Sequence, residues 1–252
     1  MSFVERLSVD AESEATLLYS EHIVRYQVAK QVVADKTVLD IACGSGYGAH
    51  VLLQGGAKKV IGIDIDPEVI AAAKKQYGSN NISFEVGEAT HFPLLDQCID
   101  VITSFETIEH INDYETYLSE LARVLTGEGV AIISTPNRDV FGQKNPFHVK
   151  EFTKEEFSSA LKKHFSYVRL VEQKNGLGSV ITSEDQPSTF SISASTTKPL
   201  YFIAFCSQKP FSNQIASVAH INMPALQRWE QNPGWRLVNW LYALGQKVGL
   251  LK

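Results

Sequence analysis

The run Ile99-Asp-Val-Ile-Thr103 has the apolar character of a buried strand, and the chain leaves it through Ser104-Phe-Glu-Thr-Ile-Glu-His-Ile111. Glu106, Glu109 and His110 stand there at i, i+3 and i+4, a spacing that places side chains on one face of a helix. Two carboxylates and an imidazole so arranged can converge on a divalent ion. The plainer reading puts the acids in a first helical turn, where the partly positive N-terminus stabilises each by about 0.3–1 kcal/mol. A second histidine follows in Asn145-Pro-Phe-His148-Val-Lys-Glu-Phe152, in the loop after the next strand. With it, Glu106, Glu109, His110 and His148 become a four-ligand candidate for Mg²⁺ or Mn²⁺. His110 and His148 are equally candidates for moving a proton near neutral pH with no metal at all, and a structural role for the group stays open.

A further set of polar residues lies upstream. Asp40-Ile-Ala-Cys-Gly44-Ser-Gly46-Tyr-Gly48 falls where an apolar strand turns into a helix, and glycines suit a turn that a ligand approaches closely. Gly44-x-Gly46-x-x-Ala49 taken alone also satisfies a loose dinucleotide fingerprint. Asp40 points elsewhere, because a carboxylate beside a glycine turn suits a cationic amino group better than a pyrophosphate. Asp64, twenty residues after Gly44 at the end of a second strand, is placed to accept hydrogen bonds from a ribose diol. Glu88, closing a third strand, could take an adenine amino group. An amino acid, a ribose and an adenine together describe S-adenosylmethionine.

The elements that must position these residues alternate quickly. Apolar strands are expected at 38–42, 60–64, 82–86, 99–104 and 130–134, with two more at 166–173 and 200–207. Helical spacing covers 12–34, 49–53 and the stripe Tyr114, Tyr117, Leu118, Leu121, Leu125. Asp66-Pro67-Glu68 reads as a capped helix start with proline in its first turn, and Thr153-Lys-Glu-Glu156 as a capping box. Strands alternating with helices at this spacing mean a parallel α/β sheet covered on both faces.

VLDIACGSGYG, VIGIDIDPEVI, FEVGEATHFPL and IDVITSFETIEHI, in this order, resemble the class I S-adenosylmethionine-dependent methyltransferases, over roughly residues 38–207. The resemblance implies a Rossmann-like sheet of seven strands, ordered 3-2-1-4-5-7-6 with strand 7 antiparallel. It places Asp40, Ala42, Gly44 and Gly46 around the methionine portion, Asp64 and Ile65 at the ribose, Glu88 and Ala89 at the adenine, and Ser104 and Phe105 at the methyl-donor end. Position 88 is Glu where that family more often has Asp. The E-x-x-E-H pattern with a later loop histidine resembles small-RNA 3′-end 2′-O-methyltransferases, whose Glu and His residues hold a divalent metal. Around E-x-x-E-H it also resembles the O-methyltransferases of ubiquinone synthesis. Glu21-His22-x-x-Arg25-Tyr26 resembles the entry helix of methyltransferases tied to surface-polysaccharide synthesis. With N-P-F-H-x-x-E-F-T this implies a small-molecule or saccharide acceptor methylated on oxygen, with Arg25, Tyr26 and Asn137 on the acceptor side. A non-catalytic S-adenosylmethionine-binding module, or an N- or C-methyltransferase without metal, is the alternative.

The whole chain fits this reading. Its 252 residues, 44% hydrophobic and 20% charged, suit one large domain with additions. A net charge of −5 gives no basis for binding nucleic acid. Cys43, Cys98 and Cys206 are too scattered for a zinc cage and read as thiols of a cytoplasmic protein. Residues 1–36 are expected as lid helices, 37–210 as the cofactor-binding domain and 211–252 as a helical extension. Residues 182–197, with nine Ser or Thr, read as a mobile surface insertion. Leu237, Trp240, Leu241, Leu244, Val248 and Leu251 form an apolar stripe in the tail, suited to its own domain, a homodimer partner or a membrane surface.

Overall fold

The computed structural model describes residues 17–142, 145–175, 179–183, 198–211 and 218–220. The expected tail helix therefore lies outside the described residues, as do residues 1–16 and the 184–197 part of the Ser/Thr-rich segment. β1 (Thr37–Ile41) begins the sheet. Its side chains alternate between two apolar layers, Val38 entering one and Leu39 and Ile41 the other. β2 (Lys59–Asp64), β3 (Ile82–Val86), β4 (Ile99–Ser104) and β5 (Leu125–Pro136) join it in parallel. Both faces are covered, which explains why these strands read as almost continuous apolar runs.

Beyond β5 the sheet continues through β6 (Tyr167–Asn175), β7 (Ser179–Ser183), β8 (Tyr201–Ser207) and β9 (Val218–His220), in the order β3-β2-β1-β4-β5-β8-β6-β7-β9. β8 runs antiparallel to both β5 and β6, so the expected seven-stranded order is present with β8 as its antiparallel member. β7 and β9 add to the far edge as further antiparallel strands. Neither was expected, because Ser179-Val-Ile-Thr-Ser183 is short and polar-flanked and becomes a strand only by pairing with β6.

α1 (Leu17–Ala29), α2 (Tyr47–Gln54) and α3 (Pro67–Tyr77) cover one face, burying Val24, Leu52 and Ile70 with Val38, Val60 and Phe84. α4 (Tyr114–Val124) and α6 (Lys154–Lys162) cover the other with Tyr117, Leu121, Phe157 and Leu161, and a single-turn α5 (Arg138–Phe141) follows β5. The caps form as read: the Asp66 side chain accepts from Glu68 N at 2.9 Å, and Thr153 and Glu156 close a reciprocal box. Among the described residues no helix is long and apolar enough to cross a membrane.

Candidate functional site

The carboxyl ends of β1, β2 and β4, with α1 above them, bring the first group of polar residues together. The turn after β1 is left-handed at Ala42 (φ 53°), Gly44 (φ 53°) and Gly46 (φ 82°). A Cβ on Gly46 would stand 2.7 Å from the Phe84 ring, whereas one on Gly44 would meet nothing within 4 Å. Packing thus fixes the inner side of the loop and leaves the outer side open at Gly44. Gly44 N donates to Asp64 Oδ2 and Asp66 N to Asp64 Oδ1, both at 3.0 Å, so Asp64 holds the glycine turn to the end of β2. Ile65 beside it is 65% exposed, and Glu88 and Ala42 are also exposed, with Ala89 half-buried.

Asp40 is buried. Thr103 Oγ1 donates to it at 2.6 Å, and the Tyr26 hydroxyl lies 3.3 Å from each of its oxygens. Burial pushes its pKa up to about 7, opposed by these two hydrogen bonds and reinforced by the charge of Asp64. Tyr26 is clamped between Tyr47 and Phe105, at ring distances of 5.5 and 4.9 Å. Ser104 is fully buried, and its hydroxyl bonds that of Tyr117 rather than facing the loop.

The second group departs from the single helix face expected for it. Glu106 has a left-handed backbone (φ 52°), and the helical turn that follows is a three-residue 3₁₀ segment, Ile108–His110. Glu106 therefore stands outside the group formed by Glu109, His110 and His148. Its amide donates to Ser134 Oγ at 3.0 Å, Ser134 Oγ donates back to Glu106 Oε1 at 2.6 Å, and Arg25 Nη1 stands 3.7 Å from the same oxygen. The solvated first-turn reading is corrected as well, because Glu109 is fully buried. Its Oε2 accepts from Thr135 Oγ1 at 3.2 Å, while Oε1 has no hydrogen-bond partner among the described residues. Burial first, and then the charge of Glu106, hold Glu109 well above the ordinary carboxylate range.

Glu109, His110 and His148 come together, each offering a ligand atom within 4.8 Å of the others. The two imidazoles meet edge to face at 4.8 Å. His110 Nδ1 donates to the Phe147 carbonyl at 3.0 Å, which leaves Nε2 as the basic nitrogen. His148 Nδ1 lies 2.8 Å from Glu151 Oε1, and its Nε2 accepts from Asn145 Nδ2 at 3.0 Å. Val149 N and Lys150 N both donate to the Glu109 carbonyl, so the loop carrying His148 is tied to the end of β4 by its backbone.

The acceptor-side residues fare differently. Asn137 caps α5 by accepting from Asp139 N and donates to the Pro199 carbonyl at 2.8 Å. Both ends of its side chain thus serve the loop, in place of the acceptor contact expected of it. His22 is pushed down to about 3 by burial and by Arg25, which keeps it neutral. Arg25 itself is fully buried against Gln173 and Tyr201, and Glu21 beneath it accepts from Tyr201 Oη at 2.8 Å and from Asn175 Nδ2. Gln173 and Tyr201 had no local signal, since their place beside α1 arises only when β6 and β8 pair. Glu151, three residues after His148, was legible as its i+3 neighbour and was missed.

A family model described as a methyltransferase domain matches residues 33–199. A Mycolicibacterium smegmatis protein described as "Probable S-adenosylmethionine-dependent methyltransferase" is 35% identical over 154 residues, 59% of each chain. A Mycobacterium tuberculosis protein described in the same words, Rv3030, is 34% identical over 148 residues, 57% of this chain and 53% of its own. The match spans little more than half the length of these relatives. A solved SAM-dependent methyltransferase from Thermotoga maritima superposes with a TM-score of 0.58 at 20% identity, covering 78% of this chain and 91% of that one. That likeness speaks to the fold.

Proposed function

The chain belongs to the methyltransferase-domain family and is a class I S-adenosylmethionine-dependent methyltransferase, and on that premise we propose that it methylates a hydroxyl of a small, saccharide-type acceptor with a divalent metal at Glu109, His110 and His148. The observation that carries the proposal is the trio itself: a buried carboxylate oxygen with no hydrogen-bond partner among the described residues, beside two imidazoles. Two imidazoles and one carboxylate suit Mn²⁺ better than Mg²⁺. Glu106 would complete the expected four ligands only by leaving Ser134.

Bound at the loop, S-adenosylmethionine supplies an electrophilic methyl group. Asp40, the Gly44–Gly46 turn and Asp64 would hold its amino acid and ribose portions, with Ile65 beside the ribose and Glu88 and Ala89 toward the adenine. When present, the metal lowers the pKa of an acceptor hydroxyl. The protein's own part is alignment of acceptor with donor and removal of the hydroxyl proton. The Phe147 carbonyl fixes the His110 tautomer, leaving Nε2 to bind the metal or, without one, to take the proton. Glu151 holds His148 through Nδ1, and the His148 Nε2 would have to leave Asn145 to bind the ion. Tyr26, edge-on to Phe105, closes the roof beside the donor.

Turnover of a panel of hydroxyl, amine and carbon acceptors, with and without a chelator, tests this. O-methyl products that a chelator abolishes and Mn²⁺ restores support it. Chelator-resistant turnover removes the metal, methylation on nitrogen or carbon selects the alternative chemistry, and cofactor binding without turnover selects a binding module. The proposal includes a cytoplasmic protein whose apolar tail stripe meets its own domain, a second copy or a membrane surface. Liposome flotation and sedimentation of the full chain against one ending near residue 224 separate these.

A further inference from the structure

Val140, Phe141, Phe147 and Val149 are four of the nine large apolar side chains left exposed among the described residues. All four belong to α5 or to the loop that carries His148, so they gather at one place. Single exposed apolar residues are ordinary, whereas a cluster of them marks a surface that binds something. Phe147 and Val149 flank His148, and their backbones are fixed to the trio. The Phe147 carbonyl accepts from His110 Nδ1 at 3.0 Å, and Val149 N donates to the Glu109 carbonyl at 2.8 Å. Their side chains are nevertheless 47% and 50% exposed.

Phe141 approaches the same end of the sheet from its other face. Its ring lies 5.5 Å from that of Tyr201, whose centre is 4.2 Å from the Arg25 guanidinium carbon. Tyr201 pairs with Pro136 and Phe202 with Thr135, and successive residues of a strand point to opposite faces. Thr135 meets Glu109 on the face covered by α4 and α6, where Phe202 packs. Tyr201 meets Arg25 on the face covered by α1. The end of β5 thus has Phe147 and Val149 on one side and Phe141 on the other. α5 is held there because Arg138 N donates to the Phe152 carbonyl at 3.0 Å. These side chains offer a bare sugar no hydrogen bond in return for the water it would lose. An alkyl chain asks for none and gains by leaving water.

We propose that the methylated hydroxyl belongs to a glycolipid: its sugar reaches the trio, and Phe141, Phe147 and Val149 bind the first methylenes of its alkyl or prenyl chain. This rests on the acceptor reading above and narrows it from saccharides in general to those that carry a lipid.

Calorimetry of the full chain, saturated with S-adenosylhomocysteine and titrated with methyl β-glucoside or with octyl β-glucoside below its micelle concentration, tests this without requiring turnover. The octyl compound is expected to bind roughly 10- to 100-fold more tightly, the gain from burying a few methylenes. Phe141→Ser and Val149→Ser replace exposed side chains. Each is expected to cut the preference by about 3- to 10-fold while keeping the wild-type affinity for S-adenosylhomocysteine, which reports a folded donor site. Equal binding of the two glucosides, no binding of either, or a preference that neither variant reduces overturns the proposal. A dimer in sedimentation that the same variants dissociate, with no preference between the glucosides, overturns it in favour of a second copy. The expected preference without methyl transfer to any hydroxyl supports the lipid site and overturns the O-methylation reading instead.

Discussion

Asp40 gives the most quantitative handle on the donor site. With its pKa near 7 before ligand binds, the carboxylate is about 90% ionised at pH 8, half ionised at pH 7 and about 10% ionised at pH 6. If the ligand's ammonium requires the ionised form, the apparent dissociation constant rises by the factor 1 + 10^(7 − pH). That is about 2-fold at pH 7, about 11-fold at pH 6 and about 100-fold at pH 5, or roughly 1.4 kcal/mol for each unit well below 7. The groups facing Asp40 are Asp64, Tyr26, Tyr47 and Thr103. Burial holds both phenols above their usual range, so neither tyrosine competes in this window. Isothermal titration of S-adenosylhomocysteine between pH 5.5 and 8, with Asp40→Asn as reference, reads the effect. The variant should bind roughly 10- to 100-fold more weakly at pH 8 and lose the slope. A flat wild-type profile, or an equal slope in Asp40→Asn, would refute the ammonium assignment. Stability without ligand has the opposite sign. A carboxyl whose folded pKa lies above its unfolded value contributes stability that is full below pH 3.8 and fades as the pH rises through 7. The rise in thermal midpoint produced by the ligand should accordingly be larger at pH 8 than at pH 6.

Gly48→Ala would set a Cβ 2.0 Å from the Tyr26 ring. Such overpacking costs about 1–3 kcal/mol, so calorimetry should show the thermal midpoint falling by about 2–12 °C; an unchanged midpoint would mean α1 can move off α2 without loss. Asp64→Ala removes the acceptor for Gly44 N and Asp66 N and should weaken S-adenosylhomocysteine by roughly 10- to 100-fold, and undiminished affinity would take Asp64 out of the ribose site. Glu109→Gln keeps the shape but removes the carboxylate that would bind the ion at the trio. Calorimetric Mn²⁺ affinity should drop by at least about 10-fold while cofactor affinity holds, and an unaltered Mn²⁺ isotherm would end the metal assignment.

The residues proposed for the donor half could be picked out in the sequence because their signals are local. A strand of alternating fate, a glycine turn with Asp40 before it, and acids closing the next two strands lie on consecutive βα units, and a parallel sheet sets such units side by side. The carboxyl ends of β1, β2 and β3 had to coincide once that sheet formed. The acceptor half was only partly legible. His148 was rightly linked to His110 across two elements, and the structure brings their rings together. The single helix face expected for Glu106, Glu109 and His110 does not exist, because one left-handed residue intervenes, and spacing alone carries no information on backbone hand. Asn137, expected on the acceptor side, caps α5.

The sequence by itself determined the strands and helices of the βα units and the identity of the residues at the glycine loop, since periodicity and turn chemistry act within a few positions of the chain. Its resemblance to a known family supplied the order of the seven expected strands. Tertiary structure decided what those residues meet. Asp40 meets Thr103 and Tyr26 because β4 and α1 enclose it, and Arg25 lies between Gln173 and Tyr201 because β6 and β8 pair beneath α1. A buried charge takes its state from the whole surrounding shell, and most of that shell is distant in sequence.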